Sequence, residues 1–398
     1  MTDRPLSSGV SARLLAIAAT AVTGLAVVSG AADWHAAHRL LAGLALPPLL
    51  GLLIIAWMAS SRRLLPAALG ATTLFGVAAA VTSPDLHLAA AALAFGASSV
   101  LCVQTFVGAR VPAGEIADYV TLTKPRVMSL LLLTGGAAVF VGANGVPGWL
   151  TFAATMAGLA LACGGAGALN HYIDRDIDKL MGSRTATRPV ASGRVLPARA
   201  LEFGVALSAA SFVLLDSLVN LPTALLALGG NLFYVFIYTL WLKRTTVQNI
   251  VIGGAAGAMP PLVGYAGASG HLGWGALVMF GIVFLWTPPH FWALALMIRE
   301  HYANAAVPML PVVRGDRETA RQIVWYTAVL VPATLLPVAF GVFGLVYGVA
   351  ALLLGLVLGW MAVVLWRETT RPHAAKLFHY SMLYLALLFV AMAIDVVV

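Results

Sequence analysis

Charge is what this chain has least of. Only 10% of its 398 residues are Asp, Glu, Lys or Arg, while 61% are hydrophobic. Soluble domains carry about a quarter charged residues, so a water-exposed globule is excluded. Acids are the rarer sign, 15 against 23 Lys and Arg, for a net charge of +8. In a soluble protein that excess would suggest a nucleic-acid partner. Here the bases fall in short connections between apolar runs, where membrane topology explains them and no nucleic acid is implied. Cysteine is nearly absent: Cys102 and Cys163 each lie inside an apolar run. That excludes a disulfide framework and a zinc site, and leaves two small core residues. No secretory cleavage signal is legible after the first apolar run, which opens near Ala12.

What the chain has instead is hydrocarbon in bilayer-crossing lengths, with a mean hydropathy of +0.94. Taking roughly 20 residues per crossing, about thirteen spans can be drawn. Four come first, at about 12–30, 38–58, 64–82 and 86–109. A polar stretch from Arg110 to Arg126, holding Pro112, Gly114, Glu115, Asp118 and Lys124, is the one good domain boundary. Nine spans follow, at about 127–145, 149–172, 199–219, 222–241, 248–268, 273–297, 321–343, 345–366 and 373–397. The predicted fold is therefore all-α: a polytopic transmembrane bundle with a four-helix segment over 1–112 and a nine-helix domain over 113–398.

Basic residues recur in every second connection of that domain. They lie between Lys179 and Arg199, at Lys243 and Arg244, between Arg299 and Arg321, and between Arg367 and Lys376, and Arg62 and Arg63 mark an earlier one. The connections near 146–148, 220–221, 269–272 and 344 hold no Lys or Arg. The asymmetry predicts an integral protein of the cell (inner) membrane whose basic loops and N-terminus, with Arg4, face the cytoplasm.

Against this background one stretch stands out: NHYIDRDIDKLMGSRTATRPVASGR, residues 170–194. Asn170, Asp174 and Asp178 recur every four residues, so on a helix they share an arc of roughly 80°. Oxygen ligands on one face can hold Mg²⁺ and leave its other positions to substrate phosphates. Nearby Arg and Lys side chains would meet the remaining phosphate oxygens. Asp176 points away and reads as an ion-pair partner. Three further polar groups should gather on the same membrane face: Lys124 and Arg126 in TLTKPRVMS; Lys243, Arg244, Gln248 and Asn249 in WLKRTTVQN; and His290, Arg299, Glu300, His301 and Tyr302 in TPPHFWALALMIREHY. His290 is an ionisable group inside an apolar run, where it needs a partner or a function. Pro288 and Pro289 should break that helix and free carbonyls that line a cavity. Metal and cations would neutralise a departing diphosphate, while the apolar interior holds a long tail and excludes water.

Asn170–Asp174–Asp178, LKRTTVQNIVIGGAAGAMPPLVGYA and FLWTPPHFWALALMIREHYANAAVPMLPVV together resemble the UbiA-type intramembrane prenyltransferases. Within these they resemble the branch that farnesylates protohaem IX, over about 115–398. The resemblance implies a cytoplasm-facing cavity in a nine-helix bundle. It implies transfer of farnesyl from farnesyl diphosphate to a vinyl group of haem b, giving haem O for haem A and terminal-oxidase biogenesis. Carried over by position, it makes Asn170, Asp174 and Asp178 the Mg²⁺–diphosphate ligands. Lys124, Arg184, Arg188, Lys243 and Arg244 become diphosphate contacts. His290, with Arg299, Glu300, His301 and Tyr302, falls on the haem or acceptor side. His301 stands where relatives commonly carry an acid. An aromatic quinone precursor as acceptor, or a haem-handling membrane protein without catalysis, are the competing readings.

The front segment, through WHAAHRLLAGLALPPLLGLLIIAW, resembles one four-helix half of haem A synthase. In that resemblance His38 and His87 form a haem-ligand pair, at the same membrane side by the span count. Asp33 and Trp34 replace the Glu expected before His38, and no second half follows. The implied role is haem binding or docking of a partner such as haem A synthase or an oxidase assembly factor.

Overall fold

The computed structural model describes residues 18–22, which are helical, and residues 115–398. The remainder of the four front spans, with His38, His87 and the proposed boundary at 112/113, lies outside the described residues. From 115 onward the chain is helical throughout. A short helix α1 (Ile116–Leu122) precedes α2 (Pro125–Ala143) and α3 (Trp149–Ile173). Two short helices follow, α4 (Arg175–Leu180) and α5 (Ser183–Ala186). Then come α6 (Pro197–Leu218), α7 (Leu221–Thr245), α8 (Asn249–Ser269) and α9 (Trp274–Met297). Short α10 (Arg299–Asn304) and α11 (Leu310–Arg314) lead into α12 (Asp316–Ala339), α13 (Leu345–Arg367) and α14 (Arg371–Asp395).

Among the described residues, nine helices are long and apolar enough to cross a membrane, and they coincide with the nine spans expected after residue 126. The ends move for local reasons. The span expected at 321 starts instead at Asp316, where Asp316 and Glu318 occupy the first turn and complement the positive helix end. The span expected to stop at 241 runs to Thr245, with Phe233–Leu242 wound as a π-helix. Residues of such a wider turn are offset from their α-helical positions, a feature that clusters at functional sites.

One expectation is corrected. Pro288 and Pro289 do not break α9, which runs unbroken from Trp274 to Met297. The turn that loses the proline N–H groups is braced by its neighbours. Thr287 Oγ1 donates to the Val283 carbonyl at 2.7 Å, and Trp286 Nε1 donates to the Ser381 carbonyl of α14 at 2.8 Å. Packed partners of this kind let a membrane helix carry proline.

The deepest apolar cluster joins α9, α12, α13 and α14 through Met279, Ile282, Leu330, Tyr347, Leu358, Tyr384 and Phe389, with α2 on its flank. Lipid offers no hydrophobic drive between helices, so close backbone approach is the gain. It is tightest between α2 and α8: a Cβ on Gly264 would lie 2.0 Å from the Gly135 carbonyl oxygen. Gly264→Ala should therefore cost about 1–3 kcal/mol or more through overpacking, read as a lower Tm in detergent. Gly281→Ala, with open space around its Cβ, serves as the neutral control.

Candidate functional site

The acid-bearing stretch sits where α3 ends. Asp174 caps α3 and begins α4, yet the i→i+4 register survives the junction. Asp174 N–H donates to the Asn170 carbonyl and Asp178 N–H to the Asp174 carbonyl, both at 2.8 Å. Asn170, Asp174 and Asp178 thus stay on one face, and all three are buried (2%, 0% and 1% exposed). Asp176 points the other way and takes a two-pronged ion pair from Arg244, at 2.7 and 2.8 Å. Arg244 also donates to the Ile173 carbonyl, at the negative end of α3.

Cations from three separate segments meet the buried acids. Lys243, at the end of α7, donates to Asp174 Oδ2. Arg188, in the loop after α5, pairs with Asp178 Oδ1 at 2.6 Å. Lys124, between α1 and α2, donates to Asn170 Oδ1. Lys124 holds a left-handed backbone conformation (φ 55°), which a residue bearing a Cβ adopts only at a cost. The turn that imposes it lies against α3 at Gly167, whose Cβ would meet the Leu122 carbonyl oxygen at 2.9 Å. The sequence GGAGALN therefore lets the α1–α2 turn come close enough for its lysine to reach the first site residue.

Outside the spans, the charges are strongly tuned. Burial, and after it the Arg188 guanidinium, brings the Lys124 ammonium down to about 7. The Arg244 hydrogen bond holds the Asp176 carboxyl well below the usual carboxylate range. Burial pushes Asp178 upward against the pull of Arg188.

The acids are only half satisfied. Asp174 Oδ1 and Asp178 Oδ2 are buried without a hydrogen-bond partner. Two open carboxylate oxygens beside cations suit Mg²⁺, which takes one or two carboxylates and leaves its remaining positions to phosphate and water. The Asn170 amide oxygen is engaged by Lys124, and its Nδ2 donates to Asp174 Oδ2 at 2.8 Å and Thr239 Oγ1 at 3.1 Å. Among the described residues no three His, Cys, Asp or Glu side chains cluster as a metal site. The oxygens left without a hydrogen-bond partner in this cluster are one each on Asp174 and Asp178.

The REHY motif divides. Tyr302 is buried against Ile177 and Met181 of the acid-bearing segment, and burial raises its hydroxyl to about 12. The His301 ring lies 3.5 Å from where a Cβ on Gly182 would stand, packing the motif against the same loop. Arg299 instead pairs with Asp316 at 3.2 Å on the exposed side, and Glu300 is exposed. His290 is buried within α9. Its Nδ1 is hydrogen-bonded to Ser381 Oγ at 2.8 Å, and its ring stacks on Trp286 and Phe378 at 4.2 and 4.6 Å. These contacts account for it within the packing of α9 on α14 and do not join it to the acids. Arg184 lies in α5.

Sequence reasoning missed Thr239, which accepts from Asn170. It also missed Tyr234 and Tyr238, whose rings lie 5.4 Å apart on the π-helical turn within electrostatic reach of Asp174. Their only signal was a Tyr–Tyr pair at helical spacing ahead of LKR, and aromatics are common in any apolar span.

Between α2, α3 and α14 runs an apolar groove of about 590 Å³, lined by Ser129, Leu133, Phe140, Phe152, Met156 and Ile394, among others. From Ser129 on the Lys124 side of α2 it runs to Phe152 at the start of α3 and Ile394 at the end of α14, the far ends of these helices from the acids.

The UbiA prenyltransferase family profile matches residues 130–389. The chain is 54% identical over 287 residues to the protoheme IX farnesyltransferase of Gloeobacter violaceus, covering 71% of this chain and 93% of that protein. It is 52% identical over 290 residues to the Symbiobacterium thermophilum protein of the same name, covering 72% and 97%. A protoheme IX farnesyltransferase of Roseiflexus castenholzii is 42% identical over 410 residues, covering 92% of this chain and 76% of that protein, so the match reaches into the segment before residue 113. Among solved structures, digeranylgeranylglyceryl phosphate synthase superposes with a TM-score of 0.59 at 18% identity, covering 71% of this chain and 98% of that one. A UbiA homologue from Archaeoglobus fulgidus bound to GPP and Mg²⁺ gives 0.55 at 16%, covering 69% and 99%. These two likenesses establish the fold alone.

The buried open oxygen of Asp178 and the exposed ion pair of Asp176 separate two aspartates that look alike in sequence. Asp178→Asn should lower affinity for magnesium pyrophosphate at least tenfold by calorimetry, the loss of about 1.4 kcal/mol. Asp176→Asn, which breaks a pair with 61% of the Asp176 side chain exposed, should change stability by no more than ~1 kcal/mol and leave that affinity intact.

Proposed function

The chain belongs to the UbiA prenyltransferase family, and from that membership and the buried acid–cation cluster we propose that it is an integral membrane enzyme that transfers farnesyl from farnesyl diphosphate to a vinyl group of haem b, making haem O. The observation that carries this reading is the open oxygen on each of two buried carboxylates, ringed by cations from three segments.

In this mechanism Asp174 and Asp178 would hold Mg²⁺ through their open oxygens, with the Asn170 amide oxygen as the third donor. Magnesium, when bound, supplies Lewis-acid charge to the leaving diphosphate. Lys243, Arg188 and Lys124 neutralise the charge that grows as the C1–O bond breaks, with Arg184 and Arg244 as further diphosphate contacts. The apolar groove beside α2 offers a surface for the far end of the isoprenoid tail. The electron-rich vinyl carbon then forms the new C–C bond. Water adds to the resulting cation and loses a proton, leaving a hydroxyl, and no protein nucleophile is required. The acceptor side is assigned to the neighbourhood of His301 and Tyr302, which pack on the acid-bearing loop, and His290 of α9 is kept as a further candidate for it.

The alternation of basic connections supports a cell-membrane enzyme with its N-terminus and active site on the cytoplasmic side. The segment 1–112 is assigned as a separate unit with a haem-binding or partner-docking role.

Incubating the purified chain with haem b, farnesyl diphosphate and Mg²⁺ should yield haem O by mass. Chelation should stop the reaction, and a quinone-precursor acceptor should give none. Asp174→Asn should lower the rate by ~10²-fold or more while haem binding persists. Normal haem O production by that variant in a strain lacking the native enzyme would remove Asp174 from the ligand set.

A further inference from the structure

Arg194 closes the loop that carries Arg188, and it does not face the acids. Its Nε donates to Asp118 Oδ1 of α1 at 2.9 Å, its Nη1 to Ser192 Oγ at 2.9 Å and its Nη2 to the Thr187 carbonyl at 2.9 Å. Thr187 is the residue before Arg188, so one guanidinium fixes the backbone that aims Arg188 at Asp178. The Asp118 side chain is 12% exposed. Around it, Leu122 of α1 is buried with Val190 and Val195 of the loop and with Ala168 and Ala200. Tyr119 meets Phe203 of α6 edge-on at 5.1 Å. Helix α1 then runs straight into the left-handed turn at Lys124.

One short helix therefore carries both ends of a frame. At its C-terminus is the lysine that reaches Asn170, and on its buried side is the aspartate that anchors the Arg188 loop. Lys124 and Arg188 lie within electrostatic reach of each other, and like charges separate unless something holds them. We propose that Asp118 and Arg194 form a clasp that holds Lys124 and Arg188 at the spacing a diphosphate bridges, so that Asp118 and Arg194 are positioning residues for the prenyl diphosphate rather than contacts to it. The clasp deepens the farnesyl-transfer reading and rests on it for the identity of the ligand.

The singles Asp118→Ala and Arg194→Met each strand a charge, and the stranded buried aspartate is the more destabilising. The informative variant is the double, Asp118→Leu/Arg194→Met, which leaves neither charge behind. Hydrogen exchange over residues 182–196 should quicken in the double variant. KM for farnesyl diphosphate should rise roughly tenfold, about 1.4 kcal/mol of lost positioning, with kcat and KM for haem near wild type. The swap Asp118→Arg/Arg194→Asp should bring KM back towards wild type. An unchanged loop exchange and an unchanged KM in the double variant overturn the clasp. A well-folded swap that leaves KM as poor as the double shows instead that Arg194 touches the diphosphate itself, and overturns it too. Calorimetry with magnesium pyrophosphate runs alongside on the full chain. If wild type binds pyrophosphate but transfers no farnesyl, the assigned reaction fails, and the clasp is judged on exchange and affinity alone.

Discussion

The whole site depends on compensating two carboxylates buried where the polar loops meet hydrocarbon. Asp174 and Asp178 are 0% and 1% exposed, and an unpaired buried carboxylate costs several kcal/mol. Lys243 holds Asp174, with Arg244 3.8 Å from its other oxygen, and Arg188 holds Asp178; each acid keeps one oxygen without a hydrogen-bond donor. Complete pairing would give a buried salt bridge with nothing left to bind. Burial pushes Asp178 towards its neutral form, and Arg188 pulls against it. Half-pairing leaves lone pairs for a cation.

Backbone geometry makes that half-pairing possible. Lys243 follows directly on the π-helical turn, so the position from which its ammonium meets Asp174 follows from that turn. Lys124 reaches Asn170 from a left-handed turn that fits only because Gly167 carries no side chain. Such departures cost energy locally and persist because the surrounding contacts over-determine them. Their gathering around one cluster, with Thr239 and two tyrosines on the wider turn, marks the site apart from the regular helices that support it.

What was legible in the sequence was what local rules encode. Hydropathy and length located nine spans, and the four-residue spacing put Asn170, Asp174 and Asp178 on one face with Asp176 turned to an ion pair. What was not legible came from long-range contact. Thr239 lies 69 residues from the amide it meets, and no periodicity announces that. The proline pair in α9 suggested a break, because the Trp286 and Thr287 bonds that brace the turn cannot be read from proline alone. His290 drew notice as an ionisable group among apolar residues, but its partners Ser381, Trp286 and Phe378 were not legible from the sequence. Arg299 carried a motif position but spends its charge joining α10 to α12.

The charge count gives the cluster its logic. Two carboxylates face three cations, Lys124, Arg188 and Lys243, while Arg244 and Asp176 cancel each other. The lowering of the Lys124 ammonium follows first from its burial and then from the Arg188 guanidinium beside it. A magnesium ion adds about two positive charges, and a prenyl diphosphate with a nearly dianionic terminal phosphate brings about three negative ones. Either ligand alone leaves a net charge in a poorly solvated pocket, where it is costly. In the proposed reading, such a site favours metal and diphosphate together over each apart.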